Sequence, residues 1–171
     1  MSTVAAISTG RAPGGIGIVR ISGKNAISIA DKVFSSFNGK KLKDISGYSA
    51  LYGKTFDEKG NIDNVVALVF RAPKSYTGED VVEISCHGGL FVTDKVLKAV
   101  YDAGAVPAEP GEFTKRAFLN GKMDLTSAES VMNIISAQGE QAEKIALGVL
   151  EGRLFKEIKK INDKLVYDMA L

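Results

Sequence analysis

The chain has 171 residues, 45% of them hydrophobic and 25% charged, an ordinary globular balance that allows one domain, or one domain with a helical extension. A net charge of +2 gives no bulk electrostatic case for nucleic-acid binding, and one Cys with one His excludes both an intramolecular disulfide and the usual zinc ligand set. Residues 1–17 lack a secretory pattern and no run approaches the ~18 apolar residues of a membrane span, so the expectation is a cytoplasmic chain without membrane contact.

Thr3 to Ser8 and Gly17 to Ser22 are short, β-branched and read as strands. Between them lies a loop rich in glycine, Thr9 to Gly17, which contains Arg11 and Pro13. From Asn25 to Phe37, the apolar residues Ala26, Ile29, Ala30, Val33, Phe34 and Phe37 follow helical spacing, with Ser22 as the expected N-cap. Tyr48 to Phe56 and Asn64 to Phe70 form an expected β-hairpin around the turn at Asp57–Asn61. Asp80 to Cys86 is a further strand, and His87-Gly88-Gly89 turns into a helix over Leu90 to Ala103 with Val96, Leu97 and Val100 inward.

After Gly104 the pattern changes. Pro107 and Pro110 interrupt regular structure, Glu112 to Leu119 reads as a short helix, and Thr126-Ser127-Ala128-Glu129 has the form of a capping box opening a helix to about Ala137. Gly139 marks a break. One long helix is then expected from Glu140, with a stripe of Leu147, Leu150, Leu154, Ile158, Ile161, Leu165 and Met169 suited to packing against other helices. The stripe runs to the last residues without a stop signal, a hint of truncation. The expected organisation is an α+β domain over residues 1–120 and the first helices of a helical domain over 121–171, with the change at about 118–124.

Few motifs carry chemistry by themselves. Gly53-Lys54-Thr55 resembles the end of a phosphate-binding loop, but the position of that loop's first glycine holds Tyr48, and the flanks read as strand. The Gly10–Gly17 loop lacks the third glycine of a dinucleotide fingerprint, since Arg20 stands there, and a strand follows rather than a helix. It is either a tight connection or a place of close approach to a ligand or partner chain. Arg20 and Glu83 each interrupt an apolar strand, where a charge is either solvated or paired. Cys86 and His87 are neighbours on a strand and point to opposite faces, so a Cys–His dyad is not expected and His87 reads as structural or supporting. Lys122 in a loop, and Lys156, Lys159, Lys160 and Lys164 on the last helix, read as solvated.

Several longer segments carry a resemblance. Gly14 to Gly23, Ser75 to Glu83, Cys86 to Gly89, and above all Pro110 to Leu125, continued by Thr126–Glu129 and Glu140–Ala142, are similar to the N-terminal part of the MnmE (TrmE) family of bacterial tRNA-modifying GTPases. The first loop departs from the family's Pro-Gly-Arg-Gly-Gly, reading Gly10-Arg11-Ala12-Pro13-Gly14-Gly15. The family's GTP-binding domain and C-terminal Cys motif have no counterpart here.

The resemblance implies a fold similar to the folate-binding domains of one-carbon aminomethyltransferases. It implies binding of a tetrahydrofolate derivative (5-formyl- or 5,10-methylene-) and a constitutive homodimer. It also implies work of the full protein with the flavoprotein MnmG at C5 of the wobble uridine of certain tRNAs, with GTP, potassium and magnesium confined to the missing GTPase domain. This chain alone is therefore not expected to hydrolyse GTP. The family's folate contacts fall on Arg20, Glu83 and Lys122; no catalytic residue and no metal ligand is implied. A free-standing folate-dependent transferase and a pure dimerisation scaffold are the alternative readings.

Overall fold

The computed structural model describes residues 1–169, and the side chains of 154–156 within them are outside the description. Contacts divide the chain into two compact units, Met1–Phe113 and a second unit from Thr114 onward.

The first unit is built on one seven-stranded sheet in the order β3-β4-β5-β6-β2-β1-β7. Its strands are β1 (Val4–Ile7), β2 (Ile16–Ser22), β3 (Phe34–Ser36), β4 (Ser49–Asp57), β5 (Gly60–Phe70), β6 (Val81–His87) and β7 (Val106–Pro107). All neighbours are antiparallel except β1 and β7. Helices α1 (Ala26–Val33) and α2 (Leu90–Asp102) touch each other and both pack on β2, β4 and β6, so they cover one face.

Alternation along each strand fixes which face that is. Leu51, Ala67, Ile84, Val19 and Ile7 stand side by side across β4, β5, β6, β2 and β1 and belong to, or pack on, the core beneath the helices. Val69, Val82, Ile21 and Ala5 make a second such row, each essentially inaccessible to water. Burial of each large side chain contributes about 1.5–3 kcal/mol. A one-residue slip would turn both rows to the other face, so the hydrophobic pattern specifies the register. Val96 and Val100 are fully buried and Leu97 half-buried, as their spacing in α2 implies.

The expected hairpin is present, with β5 beginning at Gly60, ahead of Asn64, and a bulge between Thr55 and Phe56. The first helix departs from expectation at both ends. It stops at Val33, and Phe34–Ser36 instead pair with Gly53–Thr55 as β3. Three backbone pairings on an edge strand anchored by buried Phe34 outweigh one more turn of a helix whose Phe and Ser residues are mediocre helix formers. Phe37 consequently lies exposed, with its ring 5.0 Å from that of Tyr52. Ser22 is not the N-cap. Asn25 holds that position, and Ser22 Oγ is engaged by Thr77 and Glu79.

The second unit is helical. It takes most of α3 (Glu112–Leu119), then α4 (Leu125–Ser136), α5 (Glu140–Leu150) and α6 (Arg153–Met169). α3 ends in a Schellman arrangement: Gly121 at φ 68° donates its N–H to Phe118 O, and Lys122 N–H donates to Ala117 O. The cap of α4 is Asp124, whose carboxylate accepts the Ser127 N–H at 2.8 Å, and Thr126 lies inside the first turn. The expected capping box is thus displaced by two residues, because the charged acceptor stands three before Ser127. α4 and α5 pack through small residues, with Ser127, Ser130 and Ala146 buried. The long helix expected from Glu140 is two helices, parted at Gly152 with φ 71°. Leu154, part of the expected stripe, has its side chain outside the described residues, while Ile158, Ile161, Leu165 and Met169 are exposed. No described helix is long and apolar enough to cross a membrane.

Candidate functional site

Once Val19 and Ile21 on β2 and Val82 and Ile84 on β6 are committed to the core, Arg20 and Glu83 must face the other side of the sheet. The antiparallel register sets them directly opposite one another, the closest spacing available to cross-strand side chains. Arg20 Nε and Nη2 both donate to Glu83 Oε1, at 2.8 and 2.7 Å. Glu83 Oε2 has no partner among the described residues. The pair is sheltered but reachable, with side-chain exposures of 26% and 18%.

Two aromatic rings bound the pair. The Arg20 guanidinium carbon lies 5.6 Å from the centre of the Tyr76 ring and 5.3 Å from that of Phe113, both within cation–π range. Tyr76 is brought there by the loop between β5 and β6, which is pinned to β2. Thr77 Oγ1 and Ser22 Oγ share a hydrogen bond of 2.8 Å, Ser22 Oγ donates to Glu79 Oε2 at 2.8 Å, and Gly78 supplies the left-handed turn at φ 76°. The result is a carboxylate with one uncommitted oxygen, a fixed guanidinium and two flat apolar surfaces. That set suits a planar heterocycle carrying an N–H group, since Glu83 Oε2 can accept a charge-assisted bond while Oε1 stays on Arg20. Neither Tyr76 nor Phe113 was legible as a site residue from spacing alone, although both lie in the family-like segments.

Lys122 lies in the second unit, exposed, at the C-terminal cap of α3. Arg20 and Glu83 are together; Lys122 is placed by its own unit.

His87 does not partner Cys86. Its backbone N–H donates to Asp63 Oδ2 at 2.7 Å and its Nδ1 lies 2.8 Å from Asp63 Oδ1. Burial pushes the Asp63 carboxyl up, but the hydrogen bonds from the His87 backbone and ring and from the Asn64 N–H outweigh it, and the net shift is below the ordinary value. A lowered pKa means that the stabilisation is present above the ordinary Asp value of 3.8 and fades as pH falls through the lower folded value. His87→Ala removes the ring contact, so the Asp63 carboxyl should titrate at higher pH than in the parent protein, as followed by carboxyl-carbon NMR. An unchanged titration would mean that the backbone bonds alone set it. Cys86 points to the helix side, its thiol directed at Gly17 O, with burial raising its pKa.

The glycine loop packs on the chain itself. Gly14 N–H donates to Gly88 O and Gly88 N–H donates to Gly15 O, and a Cβ at Gly88 would sit 2.6 Å from Gly14 O. A cavity of about 290 Å³ remains between this loop and α2, bordered by Thr9, Arg11 and Thr93. Gly53-Lys54-Thr55 is mid-strand in β4, as its flanks imply.

The family profile described as "GTP-binding protein TrmE N-terminus" matches residues 3–122. The chain belongs to the TrmE (MnmE) family. It is 49% identical over 170 residues to the tRNA modification GTPase MnmE of Alkaliphilus metalliredigens, 47% over 169 residues to that of Lachnoclostridium phytofermentans, and 48% over 170 residues to that of Geobacillus kaustophilus. Each match takes in 98% of this chain and 37% of the MnmE relative, so the chain spans little more than a third of the relatives it matches. The matched region of the MnmE profile includes the whole sheet, the Arg20–Glu83 pair, both rings beside it and Lys122.

Proposed function

We propose that this chain is the folate-binding and dimer-forming module of a tRNA-modifying GTPase. The observation that carries the reading is the Arg20–Glu83 pair, held on the open face of the sheet between Tyr76 and Phe113 with Glu83 Oε2 uncommitted. Glu83 would accept the amino and ring N–H groups of a pterin, and the two rings would flank its plane. Arg20 and Lys122 would take the pterin carbonyl or the carboxylates of the glutamate tail. The ligand is a tetrahydrofolate carrying a 5-formyl or 5,10-methylene group, which supplies the one-carbon unit. Residues 1–120 bind and dimerise, and 121–171 begin a helical domain. The whole protein acts in the cytoplasm with the flavoprotein MnmG on C5 of a tRNA wobble uridine, while GTP, potassium and magnesium belong to its GTPase domain. Calorimetric titration with 5-formyltetrahydrofolate is the direct test: saturable binding is expected, and its absence would leave only the scaffold reading.

The same face supports the dimer. Tyr52, Val66, Ser85 and Ile18 stand in one row across four strands, beside the row holding Glu83 and Arg20. Tyr52 is 58% and Val66 41% exposed, and Phe37 and Tyr48 extend the apolar surface. A second copy related by a two-fold axis would cover it, and a stable interface should bury about 2,000 Å² in total. Light scattering at micromolar concentration should give a dimer, and Tyr52→Glu with Val66→Glu should give a folded monomer. A wild-type monomer, or a dimeric double variant, would remove this face as the interface.

A further inference from the structure

A charged cleft lies away from the folate pair, at the outer side of α1. It has a volume of about 450 Å³ and is lined by the cations of Lys24, Lys32, Lys41, Lys43 and Arg71. The carboxylates in its lining are those of Asp31 and Asp80. The chain as a whole carries only +2, so five cations around one cleft are a strong local concentration.

The two carboxylates accept backbone hydrogen bonds and keep their charge, so five cations face two anions. Asp31 spends both oxygens on backbone, accepting the Leu42 and Lys43 N–H groups at 2.7 and 3.1 Å. Asp80 Oδ1 accepts the Ala72 N–H at 2.9 Å. None of the five cations forms an ion pair among the described residues. Lys32 donates to Ala103 O, a neutral acceptor. Arg71 is bound to two neutral carbonyls, Nη2 donating to Lys43 O at 2.7 Å and to Ile45 O at 2.9 Å. Those bonds fix the guanidinium and the segment that carries Lys41 and Lys43, yet leave its charge unmatched. The cleft therefore carries an excess of three positive charges, five cations against two carboxylates, and its field attracts an external anion.

We propose that this cleft holds the phosphate backbone of structured RNA. Exposed lysines on mobile stems, arrayed along an open cleft around one fixed guanidinium, match a run of phosphates better than one compact anion. No aromatic side chain lines the cleft, so bases have no stacking platform and contacts go to the backbone, positioning RNA without reading its sequence. The proposal rests on the reading of the whole protein as a tRNA-modifying enzyme and gives this unit a part in holding that substrate. The even charge balance of the sequence concealed the cleft, because its cations come from three separate segments.

The test is tRNA-transcript binding by the full-length protein, followed by fluorescence anisotropy between roughly 50 and 200 mM salt. The variant Lys24→Gln/Lys41→Gln/Lys43→Gln changes exposed side chains and leaves Arg71 and its carbonyl bonds intact. It should bind at least ~10-fold more weakly at the low end, with the log–log salt slope shallower by about 2–3, the loss of three phosphate contacts. The matched variant Lys159→Gln/Lys160→Gln/Lys164→Gln on α6 should bind as wild type. Equal losses in the two variants, or wild-type binding by the first, overturns the cleft while leaving the enzyme reading intact. No tRNA binding by the unsubstituted protein overturns both. Displacement of tRNA by equimolar inorganic pyrophosphate would assign a compact anion and overturn RNA as the occupant.

Discussion

Glu83→Gln should weaken 5-formyltetrahydrofolate binding by roughly 10- to 150-fold, about 1.5–3 kcal/mol for a hydrogen bond to a charged group. The substitution preserves shape and removes charge. Oε1 takes both Arg20 contacts and Oε2 is uncommitted, so the glutamine, with its oxygen on Arg20, would lose the proposed pterin acceptor and present a donor in its place. The amide oxygen can still accept from Arg20, which keeps its place beside Tyr76 and Phe113. Stability should change little, because the pair is only partly shielded from water and such pairs contribute modestly. A calorimetric titration therefore separates binding from folding. Binding within twofold of the parent, with unchanged thermal unfolding, would place the folate site elsewhere. Asp63→Asn, which alters a carboxylate of the same charge at the His87 contact, should leave folate affinity unchanged.

How much of this site was readable beforehand follows from periodicity. Strict alternation identified Arg20 and Glu83 as charges within apolar strands, and that alternation is what sends both to the open face. Their being opposite one another depends on which strands are neighbours and in what register, and one strand's sequence does not carry that. β2 and β6 are far apart in the chain yet adjacent in the sheet. The aromatic walls are less legible still. Tyr76 reaches Arg20 because a loop is tied down by Ser22 and Thr77, and nothing in local spacing announces that tie.

The errors at helix ends have distinct origins. Phe34 and Phe37 fit a helical stripe, but the competing ladder to β4 is a non-local interaction that local periodicity cannot weigh. Thr126–Glu129 satisfies the pattern of a capping box, while the better acceptor, Asp124, stands two residues earlier. The break at Gly152 was masked because apolar residues continue at helical spacing on both sides of it, and only the positive φ reveals that the helix restarts. The row of Tyr52, Val66, Ser85 and Ile18 on which the proposed dimer face rests could be named only from the register of the four strands.

Gly53→Ala should be among the more damaging single methyl additions in the first unit. Gly53 belongs to the Gly-Lys-Thr triplet that imitates a phosphate loop, and its glycine has a structural cause. A Cβ there would lie 2.3 Å from Ser35 O, 2.7 Å from the tip of the Phe34 ring and 2.7 Å from Ser36 Cα. Two of those three atoms are backbone of β3, so relief requires β3 to move off β4 rather than a side chain to turn. Phe34 is buried in the core and Thr55 Oγ1 donates to Val33 O at 2.9 Å, so displacing β3 also disturbs the end of α1. Overpacking of this kind costs about 1–3 kcal/mol, and contact with fixed backbone puts the expectation near the upper end, about 3 kcal/mol. At roughly 2–4 °C per kcal/mol for a chain of this size, the melting temperature should fall by about 6–12 °C. Gly10→Ala is the matched control, since a Cβ there meets nothing within 4 Å. It should be neutral or slightly stabilising, because alanine narrows the unfolded ensemble. If Gly53→Ala melts with Gly10→Ala in differential scanning calorimetry, β3 yields without cost and the triplet's glycine is not required by packing.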